Sequence, residues 1–156
     1  MKPLPGLEVR PTARNGLGLF TTRAFRTGEQ VCALDGRPVE GPNGPRFQVG
    51  PNEYIGPSGT VADAMNHSCS PNGWVQITPS YPVFALRDIA PGDEVVIDYS
   101  LNHTSEGVFF RCRCGSANCR RFVGGFGSIS PWQQALYIQL GVVPPYILDA
   151  YLGRFI

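Results

Sequence analysis

Near its end the chain reads Arg111-Cys112-Arg113-Cys114-Gly115-Ser116-Ala117-Asn118-Cys119-Arg120-Arg121, a C-x-C-x4-C pattern, and no other feature constrains the fold as strongly. Side chains two apart on an extended backbone point the same way, so Cys112 and Cys114 can converge on one ion. Gly115 permits the tight turn that brings Cys119 round. Three thiolates leave a structural zinc site one ligand short of its usual tetrahedron. The fourth must come from elsewhere, so two distant segments have to meet. The candidates are Cys69, Cys32 and the two histidines, His67 and His103. Cys69 is the better choice, because Cys32 lies in the apolar run Val31-Cys32-Ala33-Leu34 and reads as a small buried hydrophobe. Arg111, Arg113, Arg120 and Arg121 flank the cluster and would offset the net negative charge of a zinc tetrathiolate.

Metal ligation also fits the rest of the chain. Five cysteines in 156 residues are few for a disulfide scaffold, and the number is odd. Met1–Pro11 lacks the apolar core of a secretory signal, and no later stretch approaches the roughly 20 apolar residues of a membrane helix. Reduced thiols and a cytoplasmic location are therefore expected, with no membrane partner. A net charge of +1 offers no electrostatic footprint for nucleic acid.

The length suits one domain with a real core, and 42% of the residues are hydrophobic. Nineteen glycines and 15 prolines imply many turns between short elements, which favours a mainly β fold. Expected strands are Leu17–Thr21, Gln30–Leu34, Arg46–Val49, Trp74–Thr78, Pro82–Leu86 and Glu94–Ile97. Thr27-Gly28, Gly41-Pro42-Asn43-Gly44 and Ala90-Pro91-Gly92-Asp93 carry turn chemistry between them, and 35–45 reads as a connecting loop. The end of the chain changes character. Ser130-Pro131-Trp132-Gln133 offers a helix cap, a proline at the first helical position and a glutamine three past the cap. Trp132, Ala135, Leu136 and Leu140 then share one face, expected to pack, and Gly141 supplies a stop. Pro144-Pro145 can start a second short helix with Ile147, Leu148, Tyr151 and Leu152 on one side.

Four motifs remain. Asn15-Gly16-Leu17-Gly18 holds a G-x-G. Asn66-His67-Ser68-Cys69-Ser70-Pro71-Asn72 looks like a polar turn but contains the chosen fourth ligand. Pro91-Gly92-Asp93-Glu94-Val95-Val96-Ile97-Asp98-Tyr99 ends in an Asp-Tyr pair, and the cysteine cluster follows. In this order, over about residues 8–124, they resemble the SET-domain protein-lysine methyltransferases, with the last segment matching that family's post-SET motif. The compactness is more typical of bacterial members.

The resemblance implies several small β-sheets around a pseudoknot, in which the segment ending at Asp98-Tyr99 threads beside the loop holding Asn66-His67. Such threading is rare, and no periodicity would have revealed it. It implies a SET domain over 5–105, a zinc-binding post-SET segment over 106–126 and short C-terminal helices over 127–156. The family's zinc takes one cysteine from the N-H-S-C motif, in agreement with a Cys69, Cys112, Cys114, Cys119 set. The implied activity moves a methyl group from S-adenosylmethionine to the ε-amine of a lysine in a protein, whether histone-like, ribosomal or other. Free lysine has a pKa of about 10.4, so only about one in a thousand is neutral at pH 7.4. A narrow, apolar, aromatic-lined channel would favour the neutral amine and align it for attack.

Residue by residue, the resemblance assigns Tyr99 as the catalytic tyrosine. Gly16, Leu17 and Gly18 would let backbone approach the cofactor, Asn66 and His67 would contact it, and Phe122 would close over its adenine. Tyr54 and Ile97 would line the lysine channel. Ile97 stands where the family often has Phe or Tyr, so the product is expected not to stop at monomethyl-lysine. Asp63-Ala64-Met65 stands where the family often has Arg-Phe-Ile. The stretch from Val31 to Asn66 is short, so the substrate groove should be minimal or completed by the C-terminal helices. The competing expectation is an inactive SET-fold binding or scaffold module that retains zinc.

Overall fold

A computed structural model describes residues 1–44, 46–104 and 108–153 of the chain. The expected domain boundary at 105–106, the last residue of the expected 35–45 loop and the last three of the expected tail lie outside these. The fold is mainly β, as expected, and its strands are short. Strands β1 (Leu7–Pro11) and β2 (Leu17–Thr21) form an antiparallel hairpin with Leu7 opposite Thr21 and Pro11 opposite Leu17. Gly16 closes the loop at φ +71°, where glycine carries no steric cost, and its carbonyl accepts from Thr12 N–H at 2.6 Å.

Strand β3 (Gln30–Ala33) is followed by β4 (Pro38–Val39), β5 (Phe47–Gln48) and β6 (Tyr54–Ile55), the last three forming one sheet with β6 central. β4 lies inside the stretch expected to be loop. Pro38 is tolerated there because β4 is an edge strand. After β7 (Asn66–His67), strands β8 (Gly73–Val75) and β9 (Pro82–Ala85) join β3 in an antiparallel sheet of order β3-β9-β8.

Strand β10 (Val96–Ile97) pairs in parallel with β7, Val96 opposite Asn66 and Ile97 opposite His67. The loop from 66 to 72 also fastens the incoming strand: Ser68 N–H donates to Ile97 O at 2.9 Å and Asn72 N–H to Val96 O at 3.1 Å. The buried Asn72 amide adds two bonds, donating to Glu94 O at 2.8 Å and accepting from Val96 N–H at 2.9 Å. Asn72 reads as a turn residue in the sequence, yet it is the clasp of the threaded strand.

β11 (Val108–Arg111) and β12 (Phe122–Gly124) form an antiparallel pair around the cysteine segment. Helices α1 (Pro131–Gln139) and α2 (Pro145–Leu152) complete the chain. The main core gathers Leu19, Phe25, Ile55, Val83, Ile89, Val95 and Ile97, and each large apolar side chain buried there contributes about 1.5–3 kcal/mol. A second cluster joins Leu101, Phe126 and Ile129 to Tyr137, Val142, Tyr146 and Ile147 of the tail.

Helix α1 docks on the face opposite to the expected one. Trp132, Leu136 and Leu140 are 66%, 41% and 51% exposed, whereas Gln133, Gln134 and Tyr137 are buried. Burial of this polar face is tolerated because each group finds a partner. Gln134 Nε2 donates to Phe126 O at 2.9 Å, Gln133 Nε2 to the Tyr137 hydroxyl at 3.1 Å, and the Tyr137 hydroxyl to Asp98 at 3.0 Å. Gln133 is thereby diverted from capping. Gly141, at φ +69°, ends the helix as expected. No helix among the described residues is long and apolar enough to cross a membrane.

Candidate functional site

The four sulfur atoms of Cys69, Cys112, Cys114 and Cys119 lie within 4.8 Å of one another. Cys69 Sγ and Cys112 Sγ are 3.9 Å apart, against about 3.8 Å for the edge of a tetrahedron with Zn–S bonds of about 2.3 Å. Backbone N–H groups aim at the sulfurs, from Cys114 to Cys112 Sγ and from Arg120 to Cys69 Sγ, each at 3.4 Å. The donor set and its spacing fit a structural zinc ion. Cys32 is 7% exposed and not part of this set, and burial pushes its thiol up to about 12. Gly115 is required for more than its φ of +79°: a side-chain carbon there would overlap the Arg14 guanidinium, whose Nη1 donates to Cys114 O at 3.0 Å. That bond ties the β1–β2 loop to the cysteine segment.

Cys69 shares its loop with His67, and His67 reaches Tyr99. The Tyr99 N–H donates to His67 Nδ1 at 3.1 Å, so Nδ1 is the acceptor and the ring proton sits on Nε2, which faces Cys69 Sγ at 3.4 Å. Burial, with Arg120 assisting against Asp98, lowers the His67 pKa to about 4, and the ring is neutral. Asp98 Oδ1 lies 3.5 Å from Nδ1, but neither atom carries a proton, so this contact is not an ion pair. The Tyr99 hydroxyl donates to Met65 O at 2.7 Å. Burial, then the nearby Glu94 carboxylate, pushes this phenol up to about 12, so it remains protonated at neutral pH.

Two cavities meet at Tyr99. The smaller, of about 290 Å³, is lined by Asn15, Asn66, His67 and Tyr99 on one side and by Phe110 to Cys114 on the other. The larger, of about 460 Å³, is walled by Leu34, Phe47, Ile55, Met65, Ile97 and Phe109, among others. Tyr99 and Phe110 line both, and the Phe110 ring packs edge-on against His67 and Tyr99 at 5.7 and 6.1 Å between centroids. Phe110 carries no motif signal; its position two before Cys112 was the available clue.

The other expected residues fall as follows. Gly18 backs onto Glu94, whose Oε1 would lie 2.5 Å from any side-chain carbon placed there. Leu17 is half exposed, and its carbonyl accepts from Asn66 Nδ2 at 2.9 Å; the same amide nitrogen donates to Glu94 Oε1 at 2.8 Å. Ile97 is 3% exposed at the larger cavity. Ile55 lines that cavity, whereas Tyr54, its neighbour on β6, does not. Phe122 is 57% exposed and lines neither cavity. No residue of α1 or α2 lines either cavity, so neither helix completes the larger one.

The SET domain family model matches residues 16–100, more than half of the chain. The chain is 39% identical over 142 residues to the histone-lysine N-methyltransferase, H3 lysine-36 specific, of Mus musculus, an alignment covering 77% of this chain and 5% of that protein. It is 30% identical over 143 residues to the variant-silencing SET domain-containing protein of Plasmodium falciparum, covering 74% of this chain and 6% of that one. Among solved structures, KRYPTONITE in complex with mCHG DNA and SAH superposes with a TM-score of 0.64 at 28% identity, covering 74% of this chain and 28% of that chain. The chain thus spans a small part of each of these three proteins. By its parallel β7–β10 pair, its four-cysteine cluster and this family match, the chain belongs to the SET domain family.

Proposed function

We propose that the chain is an S-adenosylmethionine-dependent protein-lysine methyltransferase. The observation that carries this is the pair of cavities sharing one wall at Tyr99 and Phe110. Such an arrangement lets cofactor and acceptor enter from different sides and meet at one point, which methyl transfer between them requires. The smaller cavity is the cofactor side. Asn66 and His67 line it, Arg111 and Arg113 give it positive charge, and no carboxylate is among its lining residues, which suits the anionic end of an amino-acid cofactor. S-adenosylmethionine supplies an electrophilic methyl group when bound; the protein supplies position and desolvation. Gly16 and Leu17 do not line this cavity but adjoin residues that do, Gly16 following Asn15 and Leu17 O accepting from Asn66, and Phe122 pairs across β11–β12 with Arg111 of the cavity wall, from where it would close over a bound cofactor.

The larger, mostly apolar cavity is the acceptor side. There a lysine side chain loses water, its ammonium form is disfavoured, and the neutral amine is held near the Tyr99 hydroxyl. The hydroxyl, anchored on Met65 O and protonated, orients the reacting groups and is not itself the base. Ile97 presents hydrocarbon where a hydroxyl would restrain a methylated amine. Tyr54 supports this side from β6. The acceptor is a protein segment presenting a lysine, and the name of the mouse relative favours a histone.

Labour divides between a catalytic body over 5–105, a zinc segment over 106–126 and a buttressing tail over 127–156. Free thiols at all five cysteines suit a reducing, cytoplasmic setting. Calorimetry of zinc-loaded protein with S-adenosylmethionine, followed by incubation with methyl-labelled cofactor and core histones, tests the proposal. Binding with label on lysine is expected. No cofactor binding overturns it.

A further inference from the structure

Asp98, next to Tyr99 in the chain, lines neither cavity and is 1% exposed yet held ionised. Arg120 grips it from the cysteine segment with Nη1 on Oδ2 at 2.7 Å and Nη2 on Oδ1 at 2.8 Å. Ser100 N–H donates to Oδ1 at 3.0 Å, which makes Asp98 the cap of the short turn Tyr99–Leu101. One further donor comes from the tail: the Tyr137 hydroxyl reaches Oδ2 at 3.0 Å.

This last bond explains the orientation of α1. A helix docked by apolar burial would have turned Trp132, Leu136 and Leu140 inward; instead it presents Gln133, Gln134 and Tyr137, and Tyr137 is the one that reaches Asp98. The family model stops at residue 100, so both Arg120 and Tyr137 lie beyond it.

We infer that Tyr137 is a positioning residue for Tyr99, acting through Asp98, so that helix α1 supports the site without lining it. The Tyr99 main chain is fixed at two points. His67 Nδ1 accepts its N–H, and Asp98 caps the turn it begins. Asp98 can cap only while its carboxylate is held in one rotamer, and Arg120 and Tyr137 together fix that rotamer. Removing the Tyr137 hydroxyl leaves Oδ2 with Arg120 alone, and the carboxylate and the turn gain freedom together. A small displacement of a positioned group is enough to cost much of its effect. The assignment of a rate effect rests on the methyltransferase reading; the mechanical coupling does not.

The test uses the full zinc-loaded chain with Tyr137→Phe, which keeps the ring, and Gln134→Leu, which removes the same helix's other anchor without touching Asp98. Native-state hydrogen exchange in Tyr137→Phe is expected to accelerate about tenfold at the Tyr99 and Ser100 amides, while Gln134 and Leu140 keep their protection. Methyl transfer to core histones is expected to fall about tenfold, with S-adenosylmethionine affinity within twofold of the unsubstituted protein. Gln134→Leu is expected to lower the melting temperature and leave Tyr99 and Ser100 as they were. Unchanged exchange at Tyr99 and Ser100 in Tyr137→Phe, an equal effect from Gln134→Leu, or general loss of protection across α1 reduces Tyr137 to a packing residue and overturns the inference. If the exchange pattern appears but the unsubstituted protein transfers no methyl group, the coupling stands and the enzyme reading fails.

Discussion

The guanidinium of Arg120 meets the carboxylate of Asp98 at 2.7 and 2.8 Å, in a two-pronged pair whose acidic member has no exposed side-chain surface. Arg120 follows Cys119, and Asp98 precedes Tyr99. One ion pair therefore joins the metal segment to the junction of the two cavities. Burial alone would raise the Asp98 pKa; the Arg120 hydrogen bonds and charge overcome this and hold it below the usual carboxylate range.

Breaking this pair from one side should be costly, because it strands a buried charge. Arg120→Met is expected to destabilise the zinc-loaded protein by about 3–5 kcal/mol at pH 8 in urea unfolding. The sign with pH follows from the Asp98 carboxyl in each of the two proteins. In the unsubstituted protein the depressed pKa contributes stability that is complete above the unfolded value of about 3.9, so this contribution stays flat from pH 8 to 5.5. In the variant, burial without the arginine raises the folded pKa above the unfolded one, so acidification restores stability. The gap between the two proteins should narrow from pH 8 to 5.5 through a gain by the variant. A gap that widens on acidification would contradict the assignment.

Asn72 offers a separate handle on the threaded strand. Asn72→Ala deletes two hydrogen bonds and leaves the part-buried Val96 N–H and Glu94 O without them. A loss of about 2–4 kcal/mol is expected, since each stranded group costs about 1–3 kcal/mol. Urea unfolding measures it, and a change below about 0.5 kcal/mol, within the range of ordinary surface substitutions, would mean that the main-chain bonds from residues 66–72 hold the strand without the side chain.

How far these features can be read from the letters depends on what fixes each one. The four-cysteine cluster was legible because metal chemistry demands particular side chains at particular spacings, and the choice of Cys69 as its fourth member followed from count and context. Tyr99 and the Asn66-His67 pair were legible only as motifs. The contact that brings them together is a parallel pair of two residues per strand, too short for any periodicity. β4 and β6, equally short, were invisible for the same reason. Helix α1 failed differently: its period was recognised, but an apolar face was equated with a buried face. Its buried glutamines and Tyr137 each meet a partner, and no pattern within the helix announces those partners. Phe110 and Tyr137 belong to no motif, and only the folded chain brings them to the site.

Zinc should be inseparable from the smaller cavity, because Cys112 and Cys114 line it as well as belonging to the metal cluster. Cys114→Ser is expected to weaken zinc retention about a hundredfold in competition with a chromophoric chelator. Calorimetry on the same samples should show S-adenosylmethionine binding lost in step with the metal. Cofactor affinity that survives zinc removal would place the cofactor elsewhere.

Tyr99→Phe removes one hydroxyl and its bond to Met65 O. Turnover is expected to fall about a hundredfold while cofactor affinity stays within twofold, because the hydroxyl orients reacting groups and contributes little to ground-state binding. The pH profile separates orientation from base catalysis. The phenol does not ionise until about 12. The rate at subsaturating acceptor should therefore rise about tenfold per pH unit between about 7 and 9, following the neutral fraction of the acceptor lysine. Tyr99→Phe should keep that slope at a lower rate. A slope abolished by the substitution would make Tyr99 the titrating base.

Ile97 sets the last expectation, the number of methyl groups delivered. Its side chain is buried at the larger cavity beside Met65 and Tyr99, and it adds bulk without a hydrogen-bonding group. A methylated amine must turn its remaining lone pair toward the cofactor for a second transfer. Nothing in a hydrocarbon wall holds it in the unproductive orientation, so the unsubstituted protein is expected to proceed beyond monomethyl-lysine on exhaustive reaction. Ile97→Tyr places a hydroxyl in that wall, able to bond the amine directly or through a water and to occupy the space a second methyl group needs. Intact-mass spectra should then show the product distribution collapse to one methyl group, with the first transfer slowed less than about threefold, a rise in its barrier of under about 1 kcal/mol. A monomethyl-only product from the unsubstituted protein would show that some group other than Ile97 limits the reaction.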